Sequence, residues 1–222
     1  NYGGCSPKPS DFDSFWDGEL EKIHSFDGKY EIKPCKEIAV KGYKIESLDF
    51  CAPDGSVINA RIVRPDDDKT HPVVFRFHGK SGNIGAVSED LAYASAGFAS
   101  AALNCRSQSG FSDDRTDRGF FGQGGLVVRG LSKGRDYLYY KDVYLDVVRF
   151  VDIVKNLKFC DKTRLFARGG SQGGALTVVC AALCPEIKAA APEFPFLSDF
   201  RRVYEMDLMC NAYQEMKDYV RC

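Results

Sequence analysis

The run Gly169-Gly170-Ser171-Gln172-Gly173 has the spacing G-x-S-x-G. That spacing suits a nucleophile elbow, in which a serine hydroxyl stands exposed at the tip of a tight strand-to-helix turn. Gly169 and Gly173, two positions before and after the serine, are small enough to let strand and helix approach closely. The turn opens a helix N-terminus, whose N–H groups and dipole favour developing negative charge. The chemistry this would serve is acyl transfer: the hydroxyl attacks a carbonyl carbon, and main-chain donors hold the oxyanion that results. A glycine-rich turn without chemistry is the bland alternative. A phosphate loop is another, but it needs G-x-x-x-x-G-K-[ST], and no lysine stands at that spacing. The context favours the elbow, because the motif follows a strand candidate at 164–168 and precedes an apolar helix candidate at 173–183.

A second stretch, Phe77-His78-Gly79-Lys80-Ser81-Gly82, follows another strand candidate. Where an elbow is present, a loop after an early strand supplies one oxyanion N–H and the residue after the nucleophile supplies the other. This nominates the main-chain N–H groups of Lys80 and Gln172, without implicating their side chains. His78 reads as a buried histidine that shapes the loop rather than as a catalytic group.

The elements that must position these residues follow from periodicity. Residues 43–51 and 56–64 alternate and are separated by Ala52-Pro53-Asp54-Gly55, a turn signal, so they predict an antiparallel hairpin. Residues 72–77, 98–103, 164–168 and 187–191 are short apolar strand candidates. Residues 91–96 read as the end of a helix, with Gly97 as its stop. From 142 to 157, Val143, Val147, Phe150, Val151, Val154 and Leu157 share one helical face, and Asp146, Arg149, Asp152 and Asn156 the other. The run 173–183 is apolar almost all round, which predicts a buried helix. Strands alternating with helices mean βαβ units, so the fold class is α/β with a mostly parallel sheet, made mixed by the leading hairpin. Near the N-terminus, Ser10 can cap a helix beginning at Asp11. Residues 106–140 show little periodicity, and so long a loop is expected to be functional.

Composition bounds the remaining classes. The chain has 222 residues, 44% of them hydrophobic, and a formal charge of −1. It is expected to form one globular domain, with residues 1–40 as an N-terminal extension. The charge balance argues against nucleic acid as a partner. No apolar run approaches the ~18 residues of a membrane span, and no signal peptide is visible at an N-terminus that lacks Met. The nine cysteines are irregularly spaced and contain no Cys-x-x-Cys pair. They predict reduced thiols in a cytoplasmic chain and no zinc site. Cys180 and Cys184, one helical turn apart, read as small buried hydrophobes.

Several stretches resemble the acetyl xylan esterase / cephalosporin C deacetylase family of serine carbohydrate esterases. They are Pro7-Lys8-Pro9-Ser10-Asp11-Phe12-Asp13, Phe77-His78-Gly79, Arg106-Ser107-Gln108, Tyr137-Leu138-Tyr139-Tyr140, Val143-Tyr144-Leu145-Asp146-Val147-Val148-Arg149 and Gly169-Gly170-Ser171-Gln172-Gly173-Gly174-Ala175-Leu176. The resemblance covers nearly the whole chain. It implies the α/β-hydrolase fold, with Ser171 as nucleophile, Lys80 and Gln172 as oxyanion donors, and His78, Gly79, Gly169, Gly173, Arg106 and Gln108 in support. The substrate it implies is an acetylated xylo-oligosaccharide or a related acetyl ester. No metal or organic cofactor is needed. A cytoplasmic homo-oligomer, hexameric in the family, follows from the same resemblance. The aromatic stretch 137–144 could serve either as core or as contact surface.

Three departures stand out. The family usually has Gly where Ser107 stands, and Tyr where Lys80 stands. The second change keeps the main-chain donor and alters the pocket wall. The third concerns the triad, whose chain order in this fold is Ser, then Asp or Glu, then His. The histidines are His24, His71 and His78, and none follows Ser171. Family members continue through further strands that carry the acid and base, so the chain reads as lacking the C-terminal part of the fold. Asp199 and Asp207 fall too early to be assigned as the triad acid. Two other readings stay open: a non-catalytic hydrolase-fold module that binds carbohydrate or a partner, and a peptidase of the same fold.

Overall fold

The computed structural model describes residues 3–4, 6–119, 125–206 and 213–221. A single seven-stranded sheet runs in the order β1-β2-β3-β5-β4-β6-β7. Its strands are β1 (Tyr30–Pro34), β2 (Tyr43–Cys51), β3 (Val57–Pro65), β4 (His71–Phe77), β5 (Ala99–Leu103), β6 (Cys160–Gly170) and β7 (Ile187–Glu193). β1, β2 and β3 pair antiparallel, and β3 meets β5 antiparallel. β5, β4, β6 and β7 are mutually parallel. The hairpin is turned by Ala52 to Gly55, where Gly55 takes φ 82° and donates its N–H to the Ala52 carbonyl at 2.9 Å. β1 has no counterpart among the strand candidates, although Tyr30-Glu31-Ile32-Lys33 alternates; it is short and mostly exposed.

β4 and β5 lie in the middle of the sheet and are covered on both faces, which is why they read as unbroken apolar runs. One face buries the main core against α1 (Phe12–Ser25), α3 (Tyr139–Lys155) and α4 (Gln172–Leu183). Its centre is Phe150 of α3, packed edge-on to Phe75 and stacked on Phe50. On the opposite face α2 (Val87–Ser95) packs Val87, Leu91 and Ala94 against Ile45 and Val63.

Three local expectations are corrected. Asp11, not Ser10, occupies the N-cap of α1; it makes no side-chain cap bond, because its carboxylate is taken by Arg135. Asp146 does not share a solvated face of α3: it is 2% exposed and paired with Arg106. Of the rest of that polar face, Asp152 and Arg149 are half-buried, with Asp152 bonded to His24 at 2.7 Å and Arg149 donating to the Gly28 carbonyl at 2.7 Å, while Asn156 stays exposed. Finally, α4 is buried through Thr177 and at Cys180, but Val178, Ala181 and Ala182 are exposed beside the open β7 side of the sheet. The loop 106–140 contains two short 3₁₀ turns, Leu131–Lys133 and Arg135–Tyr137. Asp207 lies outside the described residues, and Asp199 accepts from the Arg202 N–H to cap α5 (Phe200–Glu205). A last helix, α6, spans Gln214–Arg221. Among the described residues no helix is long and apolar enough to cross a membrane.

Candidate active site

Ser171 joins the end of β6 to the first turn of α4. Its backbone has φ 56° and ψ −117°, a conformation that non-glycine residues avoid. Serine at a helix N-cap normally turns its oxygen back onto the first-turn amides. Here the strained dihedrals prevent that: no side-chain cap bond forms, and the residue is exposed. The hydroxyl therefore stands in the open at the positive end of α4 instead of neutralising it. The turn is pinned through the main chain. The Ser171 N–H donates to the Glu193 carbonyl at 3.0 Å, and the Ser171 carbonyl accepts from Ala175 and Phe196 at 3.1 and 3.0 Å.

The flanking glycines are required by contact. A Cβ at Gly169 would lie 2.5 Å from the Phe77 carbonyl oxygen and 2.6 Å from that of Gly173. One at Gly173 would collide with the Phe77 carbonyl group and come within 3.1 Å of the His78 carbonyl oxygen. The elbow is thus pressed directly onto the end of β4, where the His78-Gly79-Lys80 loop begins.

Gln172 contributes more than its main chain. Its side chain is fully buried, with Oε1 accepting from Gln108 at 3.0 Å and from the Tyr140 hydroxyl at 2.8 Å. Its Nε2 donates to the His78 carbonyl and to Gln108 Oε1, both at 3.3 Å. Gln108 in turn accepts the Ser81 N–H at 2.7 Å and donates to Tyr139 at 2.9 Å. One pair of facing amides therefore ties the elbow, the 78–81 loop and the 105–109 loop together. The sequence offered no sign of these roles for Gln172, Tyr139 and Tyr140, because the partners are far apart in the chain.

His78 has both ring nitrogens engaged with main chain. Nε2 accepts the Cys105 N–H at 3.0 Å, so Nδ1 carries the proton and donates to the Gly79 carbonyl at 2.8 Å. Burial pushes its pKa below the ordinary value, in keeping with a neutral ring. The other two histidines are also taken: His24 by Asp152, and His71 by Asp67 and the Gly97 carbonyl. Cys105 is buried against Arg106 and Gln172, and burial raises its thiol pKa far above the ordinary value, so it stays protonated.

Arg106 is 2% exposed and anchors its loop on α3. Its guanidinium makes two parallel bonds to Asp146, both at 2.7 Å, and reaches Asp54 at 2.8 Å. Burial opposes the charge, but the Asp146 and Asp54 carboxylates outweigh it and hold the guanidinium ionised. Arg118 extends the network, bonding Asp114 at 2.7 Å and Asp142 at 2.8 Å. Ser107, between Arg106 and Gln108, takes φ 51°. That is the left-handed region, which favours glycine. Beside the loops lies a cavity of about 400 Å³ lined by Lys80, Ser81, Gln108, Ser109, Gly125 and Arg129, among others.

A central parallel sheet covered by helices, with a strained serine at a β–α turn, defines the α/β-hydrolase fold. The acetyl xylan esterase (AXE1) family model matches residues 1–222, and the chain belongs to that family. Acetyl xylan esterase 1 from Thermoanaerobacterium sp. JW/SL YS485 superposes with a TM-score of 0.96 at 37% identity, over 99% of this chain and 69% of its own. The acetyl xylan esterase from Paenibacillus sp. R4 gives a TM-score of 0.90 at 33% identity, over 97% and 70%. Acetyl esterase Axe7A of Xylanibacter ruminicola is 28% identical over 201 residues, which are 86% of this chain and 44% of that protein. The chain thus spans less than half the length of this curated relative.

Proposed function

We propose that the chain is the nucleophile-bearing part of a serine esterase that removes acetyl groups from acetylated xylo-oligosaccharides or related small acetyl esters. The observation that carries this reading is the exposed, uncapped Ser171 at φ 56°, at the N-terminus of α4. In the proposed reaction the Ser171 oxygen adds to the acetyl carbonyl carbon while a general base takes its proton. The oxyanion lies against the N–H groups of Gln172 and Lys80, each contributing about 3 kcal/mol in the transition state. Collapse expels the sugar oxygen, which is protonated as it leaves. Water then adds to the acetyl-enzyme and releases acetate. His78, Gly79, Gly169, Gly173, Arg106 and Gln108 shape the loops around this centre. No residue of the chain is assigned as triad acid or base, since each histidine is engaged with other partners.

Membership of the family and the similarity to two acetyl xylan esterases support the substrate class. Deacetylation of cephalosporin C, a cytoplasmic location and assembly into a homo-oligomer belong to the same proposal and rest on the family resemblance. The deciding test is hydrolysis of p-nitrophenyl acetate and acetylated xylo-oligosaccharides by the intact protein, wild type against Ser171→Ala. We expect a loss of kcat of at least about 1000-fold. Equal rates would remove Ser171 as the nucleophile, and cleavage of peptides with no action on acetyl esters would favour a peptidase.

A further inference from the structure

We infer that Glu215 is a positioning residue for the oxyanion loop, acting through Lys80; this rests on the reading of Ser171 and Lys80 given above. Glu215 sits in the first turn of α6, far from the loop in sequence, and its side chain is 11% exposed. One carboxylate oxygen is paired with the Lys80 ammonium group. The other accepts the N–H groups of Val127 and Val128 at 2.7 and 3.3 Å. A Cβ added at Gly125 would run into this carboxylate, with Cδ at 2.6 Å and Cβ at 3.0 Å. The acid is therefore wedged between the 125–128 segment and the loop that follows β4.

The loop is fixed at its far side by different groups. Gly82 donates to the Gly79 carbonyl at 3.0 Å, Gln108 accepts the Ser81 N–H, and the Ser109 hydroxyl donates to the Ser81 carbonyl at 2.6 Å. Ser81 itself is held at φ 62°. Lys80 is the second residue of that turn, and its side chain is tied down by Glu215. A main-chain donor that must meet an oxyanion at 2.7–3.1 Å is sensitive to small displacements. Glu215 thus sets where the Lys80 N–H points, without touching substrate. Because the oxyanion exists only in the transition state, loosening this tie lowers kcat and leaves KM nearly unchanged.

The test uses the intact protein, with Ser171→Ala, Glu215→Gln, Lys80→Met and the double variant of the last two assayed on p-nitrophenyl acetate. Melting temperatures are measured alongside, and assays are run well below the lowest of them. We expect Glu215→Gln and Lys80→Met each to lower kcat by about 10- to 100-fold, with KM within about threefold. The double variant should be no worse than the worse single one, as for two groups acting through one contact. Gly125→Ala, which displaces the Glu215 carboxylate while keeping both residues unsubstituted, should show the same kcat loss if Glu215→Gln cannot be folded. Wild-type kcat in a folded Glu215→Gln with only a lowered melting temperature overturns the inference, and so do additive losses. Activity surviving in Ser171→Ala overturns the reading beneath it; loss there with none in Glu215→Gln overturns the positioning role alone.

Discussion

A serine at φ 56° and ψ −117° holds a conformation worth about 1–3 kcal/mol of strain, and that strain is what separates Ser171 from an ordinary helix cap. The surroundings hold it there through three main-chain bonds and two glycines that no other residue could replace without parting strand from helix. Gly173→Ala should therefore lower kcat and stability together, since its methyl group lands on the β4 terminus rather than on a yielding side chain; an unchanged urea midpoint would contradict this. Gln172 allows a sharper experiment. Gln172→Leu keeps volume and the main-chain N–H but leaves the buried Tyr140 hydroxyl without its acceptor and takes one partner from the Gln108 amide. Each buried polar group left unpaired costs about 1–3 kcal/mol, so the chemical denaturation midpoint should fall clearly. The nucleophile and its glycines were legible because a local backbone turn imposes a local spacing. The Gln172 side chain was not, because its partners lie 64 and 32 residues away and no local rule couples them.

Between elements, charge does what the apolar core does elsewhere. Arg106 joins the 105–109 loop to α3 through Asp146, and to the β2–β3 turn through Asp54. Arg106→Met should cost about 3–5 kcal/mol, because Asp146 is left as an uncompensated charge at 2% exposure. Adding Asp146→Leu should recover much of that loss, and no recovery in thermal melts would mean that the pair acts through geometry rather than charge. Acid dependence gives a second handle. Burial opposes ionisation of Asp54, but Arg106, Thr116 and Ser56 overcome it and bring the carboxyl from 3.8 to about 2. A group depressed on folding stabilises the native state above its unfolded pKa and loses that contribution as pH falls through the folded one. The stability difference between wild type and Asp54→Asn should therefore be full above pH 3.8 and shrink toward pH 2. A difference independent of pH across that window would show that the contact is not carried by the ionised form. This network is also where periodicity misled: Asp146 falls on the polar stripe of α3, and only a buried cation from a distant loop draws it into the interior.

Over the whole molecule, the parallel strands and the antiparallel hairpin were legible because each rests on near-neighbour patterns: alternation, Pro-Asp-Gly at a turn, and apolar runs in doubly covered strands. The edge strand β1 was not, since five mostly exposed residues give too weak an alternation to stand out. The two outer strands of the sheet differ in a way that matters for solution behaviour. β1 is short, carries Glu31 and Lys33 and ends in Pro34, which are devices that discourage pairing with another chain. β7 confines such residues to its ends, with Lys188 at one and Pro192 and Glu193 at the other, and leaves Ala189-Ala190-Ala191 uncharged at its centre; it is exposed over six of its seven residues and pairs with β6 alone among the described strands. Beside it α4 shows Val178 at 48% exposure. An open edge with an uncharged centre of this kind is a template for strand addition. The 222 residues on their own should accordingly self-associate along β7, with an apparent mass by light scattering that rises with concentration. Ala190→Lys places a charge on that edge and should bring the mass back toward a monomer with little change in melting temperature, because Ala190 is already exposed. A wild-type chain that stays monomeric as concentration is raised would show the edge to be harmless. Association undiminished in Ala190→Lys would move the contact to another surface, with the exposed Phe111 and Phe194 the next to alter.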